Sequence, residues 1–584
     1  MGADAARGRL ASRVVAVVVT RWVRVVTENA AVDRAFDYEL PDALGHVGMG
    51  DRVRVDFHHR SLRGWVTGEA EPTRETKAVK KWLGRGPAPE MLGLLAWAAD
   101  RWCGPLSRFL LAASPPVVVS SLPAAPPVRE LAAAVRAQAA PLAPGVILVS
   151  PTHDPLALVL HAYEITLATP GSLLVLVPTD AWAQRLRGRL EQRGCAVAQG
   201  EREWDRMRAG WPVIVGSRGM ALAPTPRLRG AVVVDADDEA YRSQSSPTWD
   251  ATTMLRERCR RDAAPLWLTS VAPSPDLLAV GPATPWGDVS GGWPRVEVVD
   301  RREGDPHDGV LTRATLEQAH RALAGDESVA LVVILQRLGH GRLFACRRCG
   351  ELARCEVCHQ AEVEVADQLA CEERHEPRAN FCRFCGATNL RRVRVGVSTL
   401  ARDVAAQLSQ RVNEVTAASS SVIDARIVVG TEAVFGRVRR TSLVVFVDFD
   451  QYLLAPRASA RRHALGAVAK AGRLVGSRRE GRGAVVVQTR RRDEVIEAIE
   501  RGDVRPVVDD DLATARILGL EPYAARATVS GDAAEEFVGA LVSTEVTVRR
   551  TGDAYDLRSA DVETLTRVLR ATPRPSGRLR LEVF

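Results

Sequence analysis

The chain has 584 residues, enough for roughly three to five domains of about 100–200 residues each. At 46% hydrophobic and a formal net charge of +8 it can bury ordinary cores and suits a polyanionic partner. Its apolar runs, Val14–Thr20 among them, are too short for a membrane span, and no signal or lipidation motif is visible, so a cytoplasmic protein without a membrane partner is expected. Lysine occurs only at Lys77, Lys80, Lys81 and Lys470; every other cationic side chain is arginine.

Residues 1–12 are small and polar and read as disordered. From Val14 to Thr67 the pattern is strand-like, through Phe36-Asp37-Tyr38, Asp51–Phe57 and Gly64–Thr67. Alternation in Val53-Arg54-Val55-Asp56-Phe57 places one face in a core, and the whole reads as a small β-barrel or sandwich. Residues 88–113 read as helical, and a proline-rich linker runs from Ser114 to Pro127.

From 128 to about 500, apolar runs alternate with amphipathic segments, the pattern of parallel sheets with crossover helices. Strands are expected at Val146–Val149, Leu173–Val177, Val213–Val215, Ala231–Val234 and Leu266–Leu268. After a polar break at Gly281–Gly292 come Val296–Val299, Val329–Leu335, Ile427–Val429, Leu443–Val447 and Ala484–Val487. The expected division is a 13–116 β-rich domain with its helix, a linker at 117–127, an α/β lobe at 128–292 and a second lobe at 293–345 and 396–504. A cysteine-rich insert occupies 346–395 and a small α+β domain 505–584.

Seven of the ten cysteines fall in the insert, ordered C-x2-C-x5-C-x2-C-x12-C-x3-H-x6-C-x2-C. The members are Cys346, Cys349, Cys355, Cys358, Cys371, His375, Cys382 and Cys385. A tight turn in each C-x2-C points both sulfurs at one metal, and eight such ligands suit two closed tetrahedral zinc sites. Gly350 and Gly386 supply the freedom those turns need. A disulfide framework belongs to small secreted chains, which this does not resemble. Spacing leaves open whether adjacent or outer pairs share an ion, and whether His359 competes with His375. Neither site has an open position for a catalytic water, so the zincs are structural.

The order of these pieces resembles the PriA family of primosomal replication-restart proteins over nearly the whole chain. The markers are Phe36–Pro41, Gly50–Val55, Trp97-Ala98-Ala99-Asp100, Val215–Arg218, Val429–Glu432, Val487-Gln488-Thr489, the cysteine order and the terminal Arg578–Val583. The resemblance implies a fold with an N-terminal end-binding β domain, two RecA-like lobes and a zinc insert in the second. It also implies that Cys346, Cys349, Cys382 and Cys385 hold one zinc, and Cys355, Cys358, Cys371 and His375 the other. His375 stands where the family has a cysteine, shifted by one residue. In that family the β domain grips the 3′ end of nascent DNA at a stalled fork. Carried over, Phe36 and Asp37 form the pocket for the terminal 3′-hydroxyl, Lys77 lies near the phosphate, and His58 replaces the pocket glycine. The implied partners are forked DNA, primosome proteins, a helicase loader or replicative helicase, and single-stranded-DNA-binding protein, with the chain a monomer.

Family members are ATP-driven 3′-to-5′ helicases, and here the motor motifs depart. Such a motor needs a glycine-rich loop to cradle phosphates, with a lysine reaching the β- and γ-phosphates. After Val146–Val149 the chain reads Ser150-Pro151-Thr152-His153-Asp154-Pro155, without glycine, and Asp154 would repel phosphate. No lysine occurs between Lys81 and Lys470. The DEEH box reads Asp235-Ala236-Asp237-Asp238, the SATP motif Ser270-Val271-Ala272-Pro273, and QVAGRAGR becomes Gly466–Arg473, keeping Lys470 and Arg473. Bound ATP and magnesium are therefore not expected, and the reading is a pseudo-helicase that recognises forks and nucleates primosome assembly. The alternative is an active helicase with a non-standard nucleotide site; a zinc-dependent RNA- or DNA-binding module outside replication is a third. Arginine clusters at Arg256–Arg261, Arg437–Arg440, Arg461-Arg462, Arg478-Arg479 and Arg490–Arg492 are the candidate phosphate contacts of the lobes.

Overall fold

A computed structural model describes residues 21–584 except 33, 59, 72–76, 140, 304–307, 337–343, 358–361, 366–367, 372–375, 393–396, 420–421 and 456. The expectations for residues 1–12 and for Val14–Thr20 lie outside the described residues, as do Cys358, His359 and His375.

Alternating apolar residues build the first unit. Strands Arg21–Thr27, Ala35–Leu40, Arg52–Phe57 and Arg60–Glu69 pair antiparallel and turn Val23, Val25, Tyr38, Val53, Val55 and Val66 into one core. The segment from Lys77 to Trp82 closes the sheet as a barrel. It pairs with Tyr38 on one edge and with Val53 and Arg54 on the other, and the Lys80 amide donates to the Arg54 carbonyl at 2.8 Å. The expected single helix over 88–113 is two, Leu92–Arg101 and Leu106–Ala112. Cys103 takes a left-handed φ of 49° and Pro105 cannot donate to a continuing helix, so the chain turns there. Arg52 then straps the following segment to the barrel through the carbonyls of Pro115 and Val117, at 2.9 and 2.6 Å.

Both α/β lobes are all-parallel. The first sheet runs Thr284–Pro285, Gly145–Leu148, Leu266–Ser270, Leu228–Val233, Ser172–Leu176, Val213–Gly216, Val197–Ala198. The second runs Arg295–Asp300, Ala484–Thr489, Leu443–Phe446, Leu331–Ile334, Ile427–Gly430, Val412–Val415. Their central strands are buried on both faces, which is why they read as continuous apolar runs. The stretch taken as a polar break hides the edge strand Thr284–Pro285, too short and too exposed to show a period.

The cysteine-rich insert leaves the second lobe after Leu331–Ile334 and rejoins it at the helix Val397–Leu408. At its root Phe344–Cys346 pairs antiparallel with Leu390–Arg392. Beyond it, Gln368–Cys371 is flanked by Glu362–Val365 and Arg378–Ala379. The last unit is a four-stranded antiparallel sheet, Thr547–Thr551, Ala554–Ser559, Ala525–Ser530, Arg580–Val583. It packs on the Leu92–Arg101 helix, where Arg101 donates to the Phe584 carbonyl at 2.9 Å and Arg570 to the Ala99 carbonyl at 3.1 Å. Among the described residues no helix is long and apolar enough to cross a membrane.

Candidate metal centre, end pocket and interlobe cleft

The antiparallel root of the insert brings its first and last cysteine pairs together. The sulfurs of Cys346, Cys349, Cys382 and Cys385 all lie within 4.8 Å of one another. Cys346 Sγ is 3.5 Å from Cys385 Sγ, and Cys349 Sγ is 3.5 Å from Cys382 Sγ. Tetrahedral zinc with bonds of about 2.3 Å sets sulfurs about 3.8 Å apart, so the donors fit that ion. The turns are those the spacing demands, with Gly350 at φ 76° and Gly386 at φ 72°. Burial and the neighbouring thiols push the Cys349 thiol up to about 12, crowding that a shared cation relieves. Of the second ligand set, Cys355 and Cys371 are buried in the insert.

The end-pocket candidates sit on paired strands of the barrel. Tyr38 and Lys77 are register partners, which places Lys77 beside Asp37. Asp37 accepts from Arg24 Nε at 3.4 Å, on the outside of the barrel. Phe36 packs against Phe57 at 4.8 Å between ring centroids, Arg34 lies over the Phe36 ring at 4.8 Å, and His58 meets Phe57 edge-on at 4.4 Å. His58 has φ 41°, the left-handed conformation that a glycine adopts freely.

The cleft between the lobes holds several of the residues expected to be remnants of motor motifs. Arg473 makes a bidentate pair with Asp235 across the lobes, at 2.7 and 2.8 Å. Its Nε donates to the Pro151 carbonyl at 3.0 Å, and its guanidinium lies 4.9 Å from the Trp182 ring centre. Lys470 is 3.0 Å from Asp238 of the first lobe and 3.6 Å from Glu432 of the second. His463 bridges Glu432 at 2.6 Å and Glu239 at 3.3 Å, and Arg457 also reaches Glu239, at 2.5 Å. Burial opposes ionisation of Glu239, but His463, Arg457 and Lys470 outweigh it and hold its carboxyl down at about 2. Burial would lower His463, yet its hydrogen bonds to Glu239 and Glu432 raise it above the ordinary histidine value. Asp235, Asp238, Glu239, Arg457, His463, Lys470 and Arg473 line a cleft of about 1620 Å³ shared with Trp97, Arg242 and Phe584.

The segment in the place of the phosphate loop is packed shut. Thr152 donates to the Gly292 carbonyl at 2.9 Å, and a Cβ on Gly292 would stand 2.2 Å from Ser150 Oγ. The His153 ring is 3.6 Å from that of Trp286, and burial lowers its imidazole to about 4. Burial works to raise the Asp154 carboxyl, but hydrogen bonds from Arg189 and the Leu156 amide bring it below its ordinary value. Asp154 is thus a helix-starting residue held by Arg189. Asp237 accepts from Ser270 Oγ at 2.7 Å, and burial raises its carboxyl.

Most of the arginines singled out in the lobes have carboxylate or carbonyl partners. Arg258 is buried and donates to the carbonyls of Ala221, Ala223 and Thr225. Arg260 and Arg261 pair with Glu257, Arg461 and Arg462 with Asp510 and Asp511, Arg479 with Asp288, and Arg492 with Glu500. Arg490 is buried against Asp448 and Asp450. The sequence reading missed Glu239, Arg457 and His463 and took Glu432 only as part of the Val429–Glu432 marker; no motif spacing connects the four. Only folding brings them to one cleft.

Residues 24–115 match the family described as 3′DNA-binding domain (3′BD) of PriA. Replication restart protein PriA of Thermotoga maritima is 24% identical over 398 residues, covering 60% of this chain and 52% of that protein. Its namesake in Treponema pallidum is 30% identical over 220 residues, 34% of this chain and 32% of that one. The chain therefore matches about half the length of the first relative and less of the second. Among solved structures, yeast (S. cerevisiae) Dbp5 bound to RNA and ADP BeF3 aligns with TM-score 0.34 and 11% identity, over 73% of this chain and 98% of that one. RecG bound to a three-way DNA junction aligns with TM-score 0.34 and 10% identity, over 63% and 44%.

Proposed function

From a PriA-type chain as premise, we propose a replication-restart factor that binds arrested nascent DNA at forks and nucleates primosome assembly without helicase activity of its own. The observation that carries this reading is the cross-lobe pairing of Arg473 with Asp235 and of Lys470 with Asp238. The cations that would meet phosphates are bound by carboxylates of the opposite lobe, and the Ser150–Asp154 segment offers no amide cradle. Electrostatic positioning supplies most of the rate in phosphoryl transfer, so its loss leaves a scaffold.

In this reading the barrel takes the 3′ end of the nascent strand. Asp37 accepts a hydrogen bond from a free 3′-hydroxyl and repels a terminal phosphate, with Phe36 beside the base and Lys77 near the backbone. Cys346, Cys349, Cys382 and Cys385 hold one structural zinc; Cys355, Cys358, Cys371 and His375 hold a second. The partners are forked DNA, the helicase loader or replicative helicase and single-stranded-DNA-binding protein, met by a monomer in the cytoplasm.

The test is ATP hydrolysis by the purified, zinc-loaded chain beside fork binding, with 3′-hydroxyl and 3′-phosphate ends. Binding that prefers the hydroxyl, loses that preference in Asp37→Ala and brings no turnover above a contaminant control is the expected result. DNA-stimulated turnover would restore the helicase reading.

A further inference from the structure

The four-sulfur cluster joins two knuckles at one centre, where Cys346 meets Cys385 and Cys349 meets Cys382, and each knuckle carries two intervening residues. Those residues are Arg347-Arg348 and Arg383-Phe384, and all four are exposed. Phe384 is 78% exposed, far from the burial its apolar ring would otherwise seek. An ion pair between Arg383 and Glu356 draws in the neighbouring tip, where Val357 is 70% exposed. Arg378 lies over Phe381, also exposed, but is itself paired with Glu362. Among the described residues neither Arg347 nor Arg348 has a side-chain partner. This sets the tips apart from the arginines of the lobes, which are largely paired.

We propose that the paired knuckle tips are a stacking platform for single-stranded DNA, with Phe384 against an unpaired base and Arg347 and Arg348 on the flanking phosphates. An exposed aromatic beside uncompensated guanidinium groups is the chemistry that holds unpaired strands, since every base has a π-face and every nucleotide a charge. Duplex DNA hides its base faces in its own stack, so the platform discriminates for unwound DNA. A rigid metal-held turn keeps the ring presented, and little side-chain freedom is lost on contact. The inference rests on the reading of the chain as a DNA-binding restart factor, but on a surface distinct from the barrel that takes the 3′ end.

The experiment uses the full, zinc-loaded chain and a 3′-phosphorylated thymidine oligonucleotide, which silences the end pocket, against an abasic strand of the same length and charge. Phe384→Ala is expected to weaken thymidine-strand binding about tenfold, within the range that one base–aromatic stack contributes. Phe384→Trp is expected to keep it, and abasic-strand binding should be the same in all three proteins. Equal thymidine binding by wild type and Phe384→Ala would overturn the proposal and leave the tips as a surface for a protein. A parallel loss on the abasic strand would also overturn it, since the ring would then act only through the fold; equal zinc content in the variants guards against misfolding. The fork reading fails separately, by absence of preference for forked over linear DNA.

Discussion

The interlobe cleft and the knuckle tips of the cysteine-rich insert are both rich in cationic side chains, and they use them in opposite ways. In the cleft the cations that face the opposite lobe have carboxylate partners: Arg473 with Asp235, Lys470 with Asp238, Arg457 with Glu239. At the tips Arg347 and Arg348 stand in solvent beside an exposed phenylalanine. The number of arginines in a segment therefore says little about where DNA binds. What decides is whether folding delivers an anion to each. A guanidinium already held by a carboxylate must give up that pair before it takes a phosphate, whereas an unpaired one gives up only water and counterions.

The largest effect should come from breaking the metal centre. Structural zinc contributes apparent binding free energies of about 10–16 kcal/mol, all of it coupled to folding of the site. Cys382→Ser is expected to remove one zinc per chain, open the insert to proteolysis and abolish any single-strand binding at Phe384, while melting of the lobes stays as it was. Retained zinc stoichiometry with an intact insert would remove Cys382 from the ligand set. In the cleft the contrast is sharpened by Arg473→Ala, which strands the Asp235 carboxylate at 11% side-chain exposure. Leaving a buried charge unpaired costs about 3 kcal/mol or more. Adding Asp235→Asn should return part of that loss in thermal denaturation, because the stranded charge disappears. If the single variant melts with wild type, the pair holds nothing together.

The sequence made the sheets legible where strands are long and buried, since Leu173–Val177 or Leu443–Val447 can be apolar throughout only between two layers of helices. It hid Thr284–Pro285 and Val412–Val415, an edge strand of two residues and a half-exposed edge strand of mixed character. The helix expected over 88–113 failed at one place, where the left-handed Cys103 and Pro105 outweigh good helix formers on either side. Of the site, the cysteine spacing announced a metal centre because ligand geometry is written locally. The absence of lysine between Lys81 and Lys470 was equally local. The partners that Arg473 and Lys470 take instead lie more than two hundred positions away, and no pattern along the chain connects them. His463 was passed over for the same reason, as were Arg347 and Phe384, whose meaning depends on solvent exposure.

The smallest expected effect is a pH dependence of the cleft, and its sign follows from two groups whose values are moved in opposite directions. His463 lies between Glu239 of the first lobe and Glu432 of the second, stacked on Tyr452, with Arg457 and Lys470 on the same carboxylates. Its folded value lies above the ordinary 6.5, so its stabilisation is complete below that and is lost as the pH rises through the raised value. Glu239 is held at about 2, below the ordinary 4.5, so its contribution is present above 4.5 and lost as the pH falls toward 2. The lobes should therefore be held most firmly between about pH 4.5 and 6.5 and loosen on the alkaline side as His463 gives up its proton. Urea denaturation followed from pH 4.5 upward should show wild-type stability declining as the pH rises through the raised value of His463. In His463→Gln the alkaline decline should vanish, because glutamine can still donate to one carboxylate but carries no charge to lose. The knuckle tips, with no histidine between their cysteines, should bind single strands with little change over the same interval. A decline that persists undiminished in His463→Gln would place the titrating group elsewhere and detach the imidazole from the cohesion of the two lobes.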